Sequence, residues 1–206
     1  IPFDEISMSK TIDYYFSLVS PYTYLGEVVF TEIVARHGAA VHRKPMELGK
    51  IFPQTGGLPL PKRAPARLAY RMTELKRWRE YRGLPLNLEP KFFPAAEWPA
   101  AGMVIAAENQ GLDSAALVNG ILTAVWAEER DIADAGTLKA IAGERGLDGE
   151  ALLAAADDER VKAAYGENTE QALAAGVFGA PSYVIDDELY WGQDRLDFLD
   201  RVLGDS

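Results

Sequence analysis

Residues 11–25, TIDYYFSLVSPYTYL, decide the fold of this chain. Apolar and polar side chains alternate over residues 11–19, which is the period of a β-strand with one buried face. Ser20 and Pro21 then predict the start of a helix, because serine is a favoured N-cap and proline suits the first helical position. The helical period continues to Gly38, which predicts its end. A strand therefore passes directly into a helix at Ser20.

The rest of the chain shows further strand and helix patterns in separate segments. Residues 40–46 predict a second strand, so the chain opens with a βαβ unit whose strands are parallel. Residues 47–65 are rich in glycine and proline and predict a long loop of functional interest. The end of the chain predicts a hairpin from residues 177–186 and 188–191 and a closing helix over 194–203. In between, helical periodicity predicts helices over residues 66–82, 99–110, 114–129, 135–145, 150–156 and 158–175.

This order predicts an α/β chain with a thioredoxin-like fold, βαβ followed later by αββα, and an all-helical insertion between the two halves. We expect residues 11–65 and 158–206 to form the thioredoxin-like domain and residues 66–157 to form the insertion. Residues 1–10 are expected to be an N-terminal extension, in which Met8 is the native start and residues 1–7 are an expression remnant or a processed leader.

Composition narrows the functional classes. The chain has 206 residues and no cysteine, which excludes disulfides, a Cys-x-x-Cys redox pair and thiolate metal sites. Its longest apolar run, residues 101–107, is far shorter than the roughly 20 residues that span a bilayer. A net charge of −10 disfavours nucleic acid and anionic membranes as partners. No secretory signal pattern is visible, and we expect a cytoplasmic protein.

Residues 62–82 depart from this acidic average. Two interpretations stay open for the stretch: a solvated helix face, because long basic side chains are commonest on surfaces, or a wall that receives a small carboxylate. Eight basic side chains stand here against Glu74 and Glu80, namely Lys62, Arg63, Arg67, Arg71, Lys76, Arg77, Arg79 and Arg82.

Ser20 is the first candidate for chemistry, because the carboxyl end of a strand meeting the amino end of a helix is a common ligand site in α/β sheets. It is equally explained as a helix cap. The two roles are compatible, since a hydroxyl has one donor and two acceptor lone pairs. Thioredoxin-like proteins normally hold a helix-stabilised cysteine thiolate at this position. Because this chain has no cysteine, we expect a thiol supplied by a cofactor, and glutathione is the natural one.

Two later segments are candidates for holding that cofactor. Ala180-Pro181 stands at a strand start, where a trans peptide is the default by frequency. Thioredoxin-like folds instead place a cis-proline here, which faces the serine and offers backbone groups to an extended thiol peptide. Gly192, Gln193 and Asp194 precede the last helix. Asp194 is either a helix cap, or its carboxylate and the helix N-terminus hold the α-amino acid end of glutathione.

Five short motifs follow one another along the chain: SPYTYL from Ser20, RW with GLP from Arg77, AVWAE from Ala124, FGAP from Phe178 and WGQDRL from Trp191. In this order they resemble the 2-hydroxychromene-2-carboxylate isomerase family, which is related to kappa-class glutathione transferases. The resemblance covers nearly the whole chain from Thr11.

This resemblance implies that Ser20 activates the sulfur of glutathione, which adds to a chromene acid, opens its ring, permits rotation and leaves unconsumed. The implied glutathione contacts are Ser20, Ala180, Pro181, Gly192, Gln193 and Asp194. The implied contacts to a small aromatic carboxylate are Lys62, Arg67, Tyr22 and Trp191, with Arg63 as a further candidate, and a homodimer is compatible with the resemblance. Gly57 stands where the family often has Asn, and Arg67 where it often has Lys, so the substrate itself stays open.

Two other functions stay open. A kappa-like glutathione transferase that conjugates electrophiles would share the fold and the thiolate but leave the sulfur in its product. A non-catalytic thioredoxin-like module would bind an extended peptide at Ala180-Pro181. His37 and His42 are explained by a helix end and a strand, so we expect neither a Ser-His-Asp hydrolase nor a metal site.

Overall fold

The described part of the chain, residues 10–204 of the computed structural model, forms a four-stranded sheet in the order β2-β1-β3-β4. The strands are β1 (Thr11–Phe16), β2 (Ala40–Pro45), β3 (Ser182–Ile185) and β4 (Glu188–Trp191). β1 pairs with β2 in parallel and with β3 in antiparallel, and β3 pairs with β4 in antiparallel. The predicted thioredoxin-like α/β fold is confirmed. Residues 1–9, with the predicted start at Met8, and 205–206 lie outside the described residues.

Helices cover the sheet and fill the middle of the chain. Helices α3 to α7 lie, in sequence, between residues 11–65 and 158–206, the two segments predicted to form the thioredoxin-like domain. The boundaries of the domains stay a prediction. No helix in residues 10–204 is long and apolar enough to cross a membrane. The helices are α1 (Pro21–His37), α2 (Leu48–Thr55), α3 (Pro65–Arg82), α4 (Ala100–Asn109), α5 (Ser114–Trp126), α6 (Ala135–Glu144), α7 (Gly149–Ala156), α8 (Glu159–Ala174) and α9 (Leu196–Gly204).

The prediction of a long loop at residues 47–65 is wrong. The segment contains α2 and a 3₁₀ turn, Leu60–Lys62. α2 forms because Ile51 is fully buried in a small cluster with Tyr15 and Met46, so tertiary packing outweighs the glycine- and proline-rich composition. Gly56, with a φ of 78°, ends the helix in the left-handed conformation that glycine adopts without strain.

The strands next to the predicted site are shorter than their sequence patterns. β1 ends at Phe16 instead of Val19, and the backbone N–H of Ser20 donates to the carbonyl of Ser17 at 3.1 Å, which closes a turn. β3 begins at Ser182 instead of residue 177. Irregular backbone therefore occupies both places where the sequence predicts ligand contacts.

α1 is fixed at both of its ends. Ser20 caps the start, and Gly38 ends the helix with a φ of 61° and donates its N–H to the carbonyl of Val34. Arg36 and His37 in the last turn both bond the carboxylate of Asp200 in α9, at 2.8 and 2.7 Å. Hydrogen bonds therefore hold both ends of the helix.

Aromatic rings join α1 to the sheet. Tyr14 of β1 stacks on Phe16 and on Tyr183 of β3, with ring centroids 4.6 and 5.0 Å apart. Phe30 of α1 packs on Tyr14 at 4.6 Å and on Tyr183 at 4.8 Å. All four side chains are essentially fully buried. Large aromatic rings contribute much buried apolar area each, so this cluster holds α1 in register with the central strand.

Gly26 lets the segment before α9 lie directly against α1. A Cβ atom at position 26 would come 2.8 Å from the Cβ of Gln193, closer than side chains approach each other. We therefore expect Gly26→Ala to lower the free energy of unfolding by about 1–3 kcal/mol, although alanine is the better helix former. Urea unfolding measures the difference.

Gly166 in α8 provides the matched control, because a Cβ atom there would meet nothing within 4 Å. Gly166→Ala is expected to gain about 0.5–1 kcal/mol from helix propensity alone. Equal effects of the two variants would contradict the close contact between α1 and Gln193.

Candidate active site

Ser20 caps α1 and points toward the turn that precedes β3. Its Oγ accepts the backbone N–H of Thr23 at 3.2 Å. The same hydroxyl donates to the carbonyl of Ala180 at 3.5 Å, at the long limit of a hydrogen bond. Its proton is therefore weakly held, whereas its position is set by the helix cap. The structure thus brings Ser20 and Ala180 together, as the sequence predicts.

The first turn of α1 leaves one backbone donor available. Pro21 has no N–H, Thr23 donates to the Ser20 hydroxyl, and Tyr24 donates to the Ser20 carbonyl at 3.1 Å. The N–H of Tyr22 is left without a partner among residues 10–204. Such free N–H groups carry the positive end of the helix dipole. Two donors, one hydroxyl and one amide, therefore stand together at the start of α1.

The Ala180-Pro181 peptide is cis, as the resemblance implies, and not trans as frequency alone would predict. The carbonyl of Gly179 accepts the hydroxyl of Ser182 at 2.8 Å, and the carbonyl of Pro181 accepts the N–H of Gly192 at 2.9 Å. Within the described chain the N–H of Ala180 has no partner. The peptide group of Ala180 is therefore held by its neighbours while its own donor stays open.

Gln193 is buried and its side chain is already engaged. Arg82, at the end of α3, donates to the Gln193 carbonyl at 3.0 Å and to Oε1 at 3.1 Å. Gly192 before it has a φ of 97°, a conformation for which glycine is suited. Sequence reasoning missed Arg82 as a site residue, because a cation in the last helical turn is equally explained by the helix dipole. Arg82 positions the segment that the sequence assigns to glutathione.

Asp194 lies at the surface beside Arg195. Its carboxylate accepts the guanidinium of that neighbour at 3.0 Å. The last helix begins later than predicted, because residues Gln193–Arg195 form a 3₁₀ turn and α9 starts at Leu196. The predicted carboxylate therefore lies in the 3₁₀ turn that leads into α9, two residues before the helix begins.

An exposed pair of aromatic rings flanks Ala180. Phe178 and Trp191 lie 4.8 Å apart between centroids, and each is about 40% exposed. Arg195 stacks over Trp191 at 5.5 Å. Gly179 lies beneath, where a Cβ atom would come 2.6 Å from the indole nitrogen of Trp191. The two rings are tilted by 55° to each other and offer exposed apolar surface close in sequence to the Ala180 peptide.

The residues predicted to contact substrate divide into two groups. Tyr22 is partly buried, and its hydroxyl donates to Glu74 of α3 at 3.4 Å. Burial, with the charge of Glu74, raises the pKa of Tyr22 to about 12. Lys62 and Arg67 are exposed, and within the described chain no hydrogen bond or ion pair joins either one to the serine or the tyrosine. Their predicted role stays a prediction.

Glu97 holds the turn that leads into Ser20, and sequence reasoning missed it. Its carboxylate accepts the Ser17 hydroxyl at 2.9 Å and the Leu18 N–H at 2.6 Å. Burial raises the pKa of Glu97 to about 7; the two hydrogen bonds oppose that shift, and the charge of Glu47 adds to it. No local pattern marks the residue, because the contact bridges about eighty positions of sequence.

A cavity of about 430 Å³ opens elsewhere, along the sheet. None of the predicted site residues lines it, and it is open to solvent. Its lining comes from the strands and from the turn between β3 and β4, so no helix N-terminus of residues 10–204 faces it. The residues around it are Thr11, Asp13, His42, Lys44, Val184, Asp186 and Asp187.

Fold and site together define the class of protein. The DSBA-like thioredoxin domain family matches the chain over residues 11–204. A solved structure of a 2-hydroxychromene-2-carboxylate isomerase superposes with a TM-score of 0.78, covers 94% of each chain and is 27% identical. The chain is therefore a DsbA-like thioredoxin-fold protein.

Curated relatives place it more narrowly. The 2-hydroxychromene-2-carboxylate isomerase of Sphingobium xenophagum is 31% identical over 199 residues, which cover 96% of this chain and all of that protein. The glutathione S-transferase kappa 1 of Caenorhabditis elegans is 26% identical over 93% of this chain and 90% of its own length. The chain belongs to the 2-hydroxychromene-2-carboxylate isomerase family, with kappa-class transferases as further relatives.

Replacing Glu97 is expected to change how stability depends on pH. The folded pKa of about 7 lies above the ordinary value of 4.5, so ionisation of Glu97 opposes folding. The stability that this group contributes at low pH is lost as pH rises through about 7. Glu97→Gln stays neutral but loses one acceptor. We expect its stability deficit against the wild type to shrink as pH rises through about 7, measured by urea unfolding.

Glu89→Gln is the control for this measurement, because it is the same substitution at an exposed position. A deficit of Glu97→Gln that does not vary with pH would contradict the raised pKa. Such a result would mean that Glu97 has the same pKa in the folded and unfolded states.

Proposed function

We propose that this chain is a glutathione-dependent isomerase of 2-hydroxychromene-2-carboxylate-type aromatic acids, in which Ser20 activates the glutathione thiolate. One observation carries the proposal: in a chain without cysteine, the weakly held Ser20 proton and the free Tyr22 N–H converge at a helix start, opposite an open Ala180 peptide. The names of relatives that match nearly the whole chain support the isomerase assignment.

Glutathione would supply the nucleophilic thiolate that the chain lacks. Ser20 is suited to stabilise that thiolate, because its Oγ already accepts from Thr23 and its proton is bound only weakly to the Ala180 carbonyl. Lowering a thiol pKa by two units requires about 2.7 kcal/mol. A hydrogen bond to a charged group contributes about 1.5–3 kcal/mol and a helix terminus about 0.3–2 kcal/mol, so these two interactions suffice.

The backbone at Ala180 fits an extended thiol peptide. Its N–H is free, and its carbonyl is released when the Ser20 proton turns toward a thiolate. Arg82 holds Gln193, so the neighbouring segment 192–194 is preorganised. The exposed carboxylate of Asp194 then lies where it can exchange its contact with Arg195 for the ammonium of glutathione. The residues present therefore fit the cofactor.

A flat aromatic substrate suits the walls beside this site. Trp191 and Phe178 present exposed rings near Ala180, and Tyr22 lies in the first turn of α1, two residues after Ser20. Tyr22 stays protonated near neutral pH, because its pKa is about 12. It therefore offers a neutral hydroxyl and an apolar ring in place of a charge.

Conjugation of glutathione to an electrophile is the second candidate, favoured by the kappa-class relatives. Mass analysis of the product separates the two reactions, because only a conjugate keeps the sulfur. A non-catalytic peptide-binding module would use the same Ala180 backbone without turnover. Retention on immobilised glutathione together with turnover excludes that module.

Ser20→Ala is expected to lower turnover by about 10- to 100-fold, the equivalent of one hydrogen bond to a charged group. The ultraviolet absorbance of bound glutathione thiolate should decrease with it, because the thiol pKa rises. Ser20→Thr keeps the hydroxyl and is expected to retain more of both signals.

Asp134→Ala is the matched control, because Asp134 caps α6 through the N–H of Thr137 and lies outside the predicted site. Both alanine variants lose about 1 kcal/mol of helix capping. Only the serine variant should lose turnover. Unchanged turnover in Ser20→Ala, or equal losses in the two variants, would contradict the role of Ser20.

A further inference from the structure

Two arginines that have no acidic partner in the described part of the chain lie near the start of α1. Arg71 is partly buried on α3, and Arg63 is partly buried just before that helix. In residues 10–204 no carboxylate lies within 4 Å of either guanidinium group, although the chain carries 31 acidic residues against 21 basic ones. Partly buried arginines are usually paired. The lack of a pair in so acidic a chain requires a physical reason.

The contacts that these arginines do make hold them in place without neutralising them. The Nε of Arg63 donates to the carbonyl of Leu58 at 2.7 Å, and its guanidinium lies 5.9 Å from the ring of Phe52. Arg71 has only a weak contact with the sulfur of Met72, at 3.9 Å. Most of the guanidinium donors are therefore unused in both residues.

Tyr22 connects this pair to the candidate active site. Its hydroxyl donates to Glu74 of α3, and Arg71 lies one turn earlier on the same face of that helix. Tyr22 also interacts electrostatically with both arginines. Since Tyr22 is two residues after Ser20, the two guanidinium groups lie beside the first turn of α1.

The arginines also repel each other. Burial lowers the pKa of Arg71; Tyr22 opposes that shift, and the like charge of Arg63 adds to it. Glu74 does not relieve the repulsion, because it accepts the Tyr22 hydroxyl and makes no ion pair with Arg71. An anion placed between the two guanidinium groups would be bonded by both and would remove the cost of holding them together.

We propose that Arg71 and Arg63 form the subsite that receives the carboxylate of the aromatic substrate, with the substrate ring against Tyr22 and Phe52. The identity of the ligand rests on the proposed function, whereas a carboxylate as its charged group follows from the two unpaired guanidinium groups. Of the cations suggested by resemblance the subsite keeps only Arg63 and adds Arg71, because Lys62 and Arg67 are exposed whereas Arg71 and Arg63 are partly buried. The carboxylates of glutathione are the other source of the same chemistry.

Calorimetric titration with three probes tests the subsite: trans-cinnamate, its uncharged methyl ester, and glutathione. The wild type should bind cinnamate more tightly than the ester. Arg71→Gln should weaken cinnamate binding by about 10- to 100-fold, as expected for a lost hydrogen bond to a charged group, and leave the ester and glutathione unchanged. Arg63→Gln should act in the same direction. Arg201→Gln on α9 is the charge-matched control, because this arginine is exposed and residues 10–204 hold no ion-pair partner for it; it should change none of the three.

Stability gives a second readout. Because Arg71 makes no ion pair within residues 10–204, Arg71→Gln should unfold at the same or a higher urea concentration than the wild type, so a folding defect does not account for lost binding. Arg71→Lys keeps the charge but loses the planar fork and should recover only part of the affinity.

Three outcomes would overturn the subsite: no cinnamate binding by the wild type, unchanged cinnamate binding in Arg71→Gln, or weakened glutathione binding with cinnamate unaffected. The last outcome would assign the arginines to a carboxylate of glutathione. The proposed function fails separately, if the wild type does not bind glutathione. Selective loss of cinnamate binding in Arg71→Gln would then still support the subsite.

Discussion

The turn between β1 and α1 is the constraint on which the rest of the site depends. The chain must change from strand to helix within residues 17–19, and that change exposes backbone and hydroxyl donors that need acceptors. Glu97 accepts two of them, from Ser17 and Leu18, and Ser20 accepts the N–H of Thr23. The hydroxyl of Ser20 is thereby fixed in space while its proton stays free to move. A serine so placed is better suited to activate a borrowed nucleophile than to be one, because no basic side chain of residues 10–204 bonds it.

The helices between the two sheet-forming segments therefore do more than cover the core. Glu97, just before α4, bonds the turn between β1 and α1. Helix α3 contacts the site at two places along its length. Glu74 bonds Tyr22 near the start of α1, and Arg82 bonds Gln193 before α9. A site built at the junction of several elements keeps its geometry only while all of them stay packed. Changes in the helical segment are thus expected to reach the chemistry without touching the ligand.

Local features of the fold followed from the sequence, and contacts between distant segments did not. The β1–α1 junction, the Gly38 stop and the final hairpin each depend on a few adjacent residues, and each was predicted. α2 was missed, because burial of Ile51 outweighs a composition that favours a loop. Glu97 and Arg82 were missed for a different reason: each is an ordinary charged residue locally, and only the folded chain brings it to its partner. For the Ala180-Pro181 peptide, the trans form expected from local frequency was wrong, whereas the resemblance implied the observed cis form.

Cationic side chains near the candidate site are opposite in sign to the net charge of the chain. The net charge of −10 repels anions at long range, yet Arg63, Arg71 and Arg82 stand near the start of α1 and the segment before α9. Among residues 10–204 two of these cations have no acidic partner and the Tyr22 N–H has no acceptor, so the latter adds the positive end of a helix dipole. Screening by salt limits the repulsion at distances beyond about 10 Å, whereas the partly buried cations are screened less. The proposed subsite would therefore favour an anion that carries an apolar ring over the anions that the net charge repels.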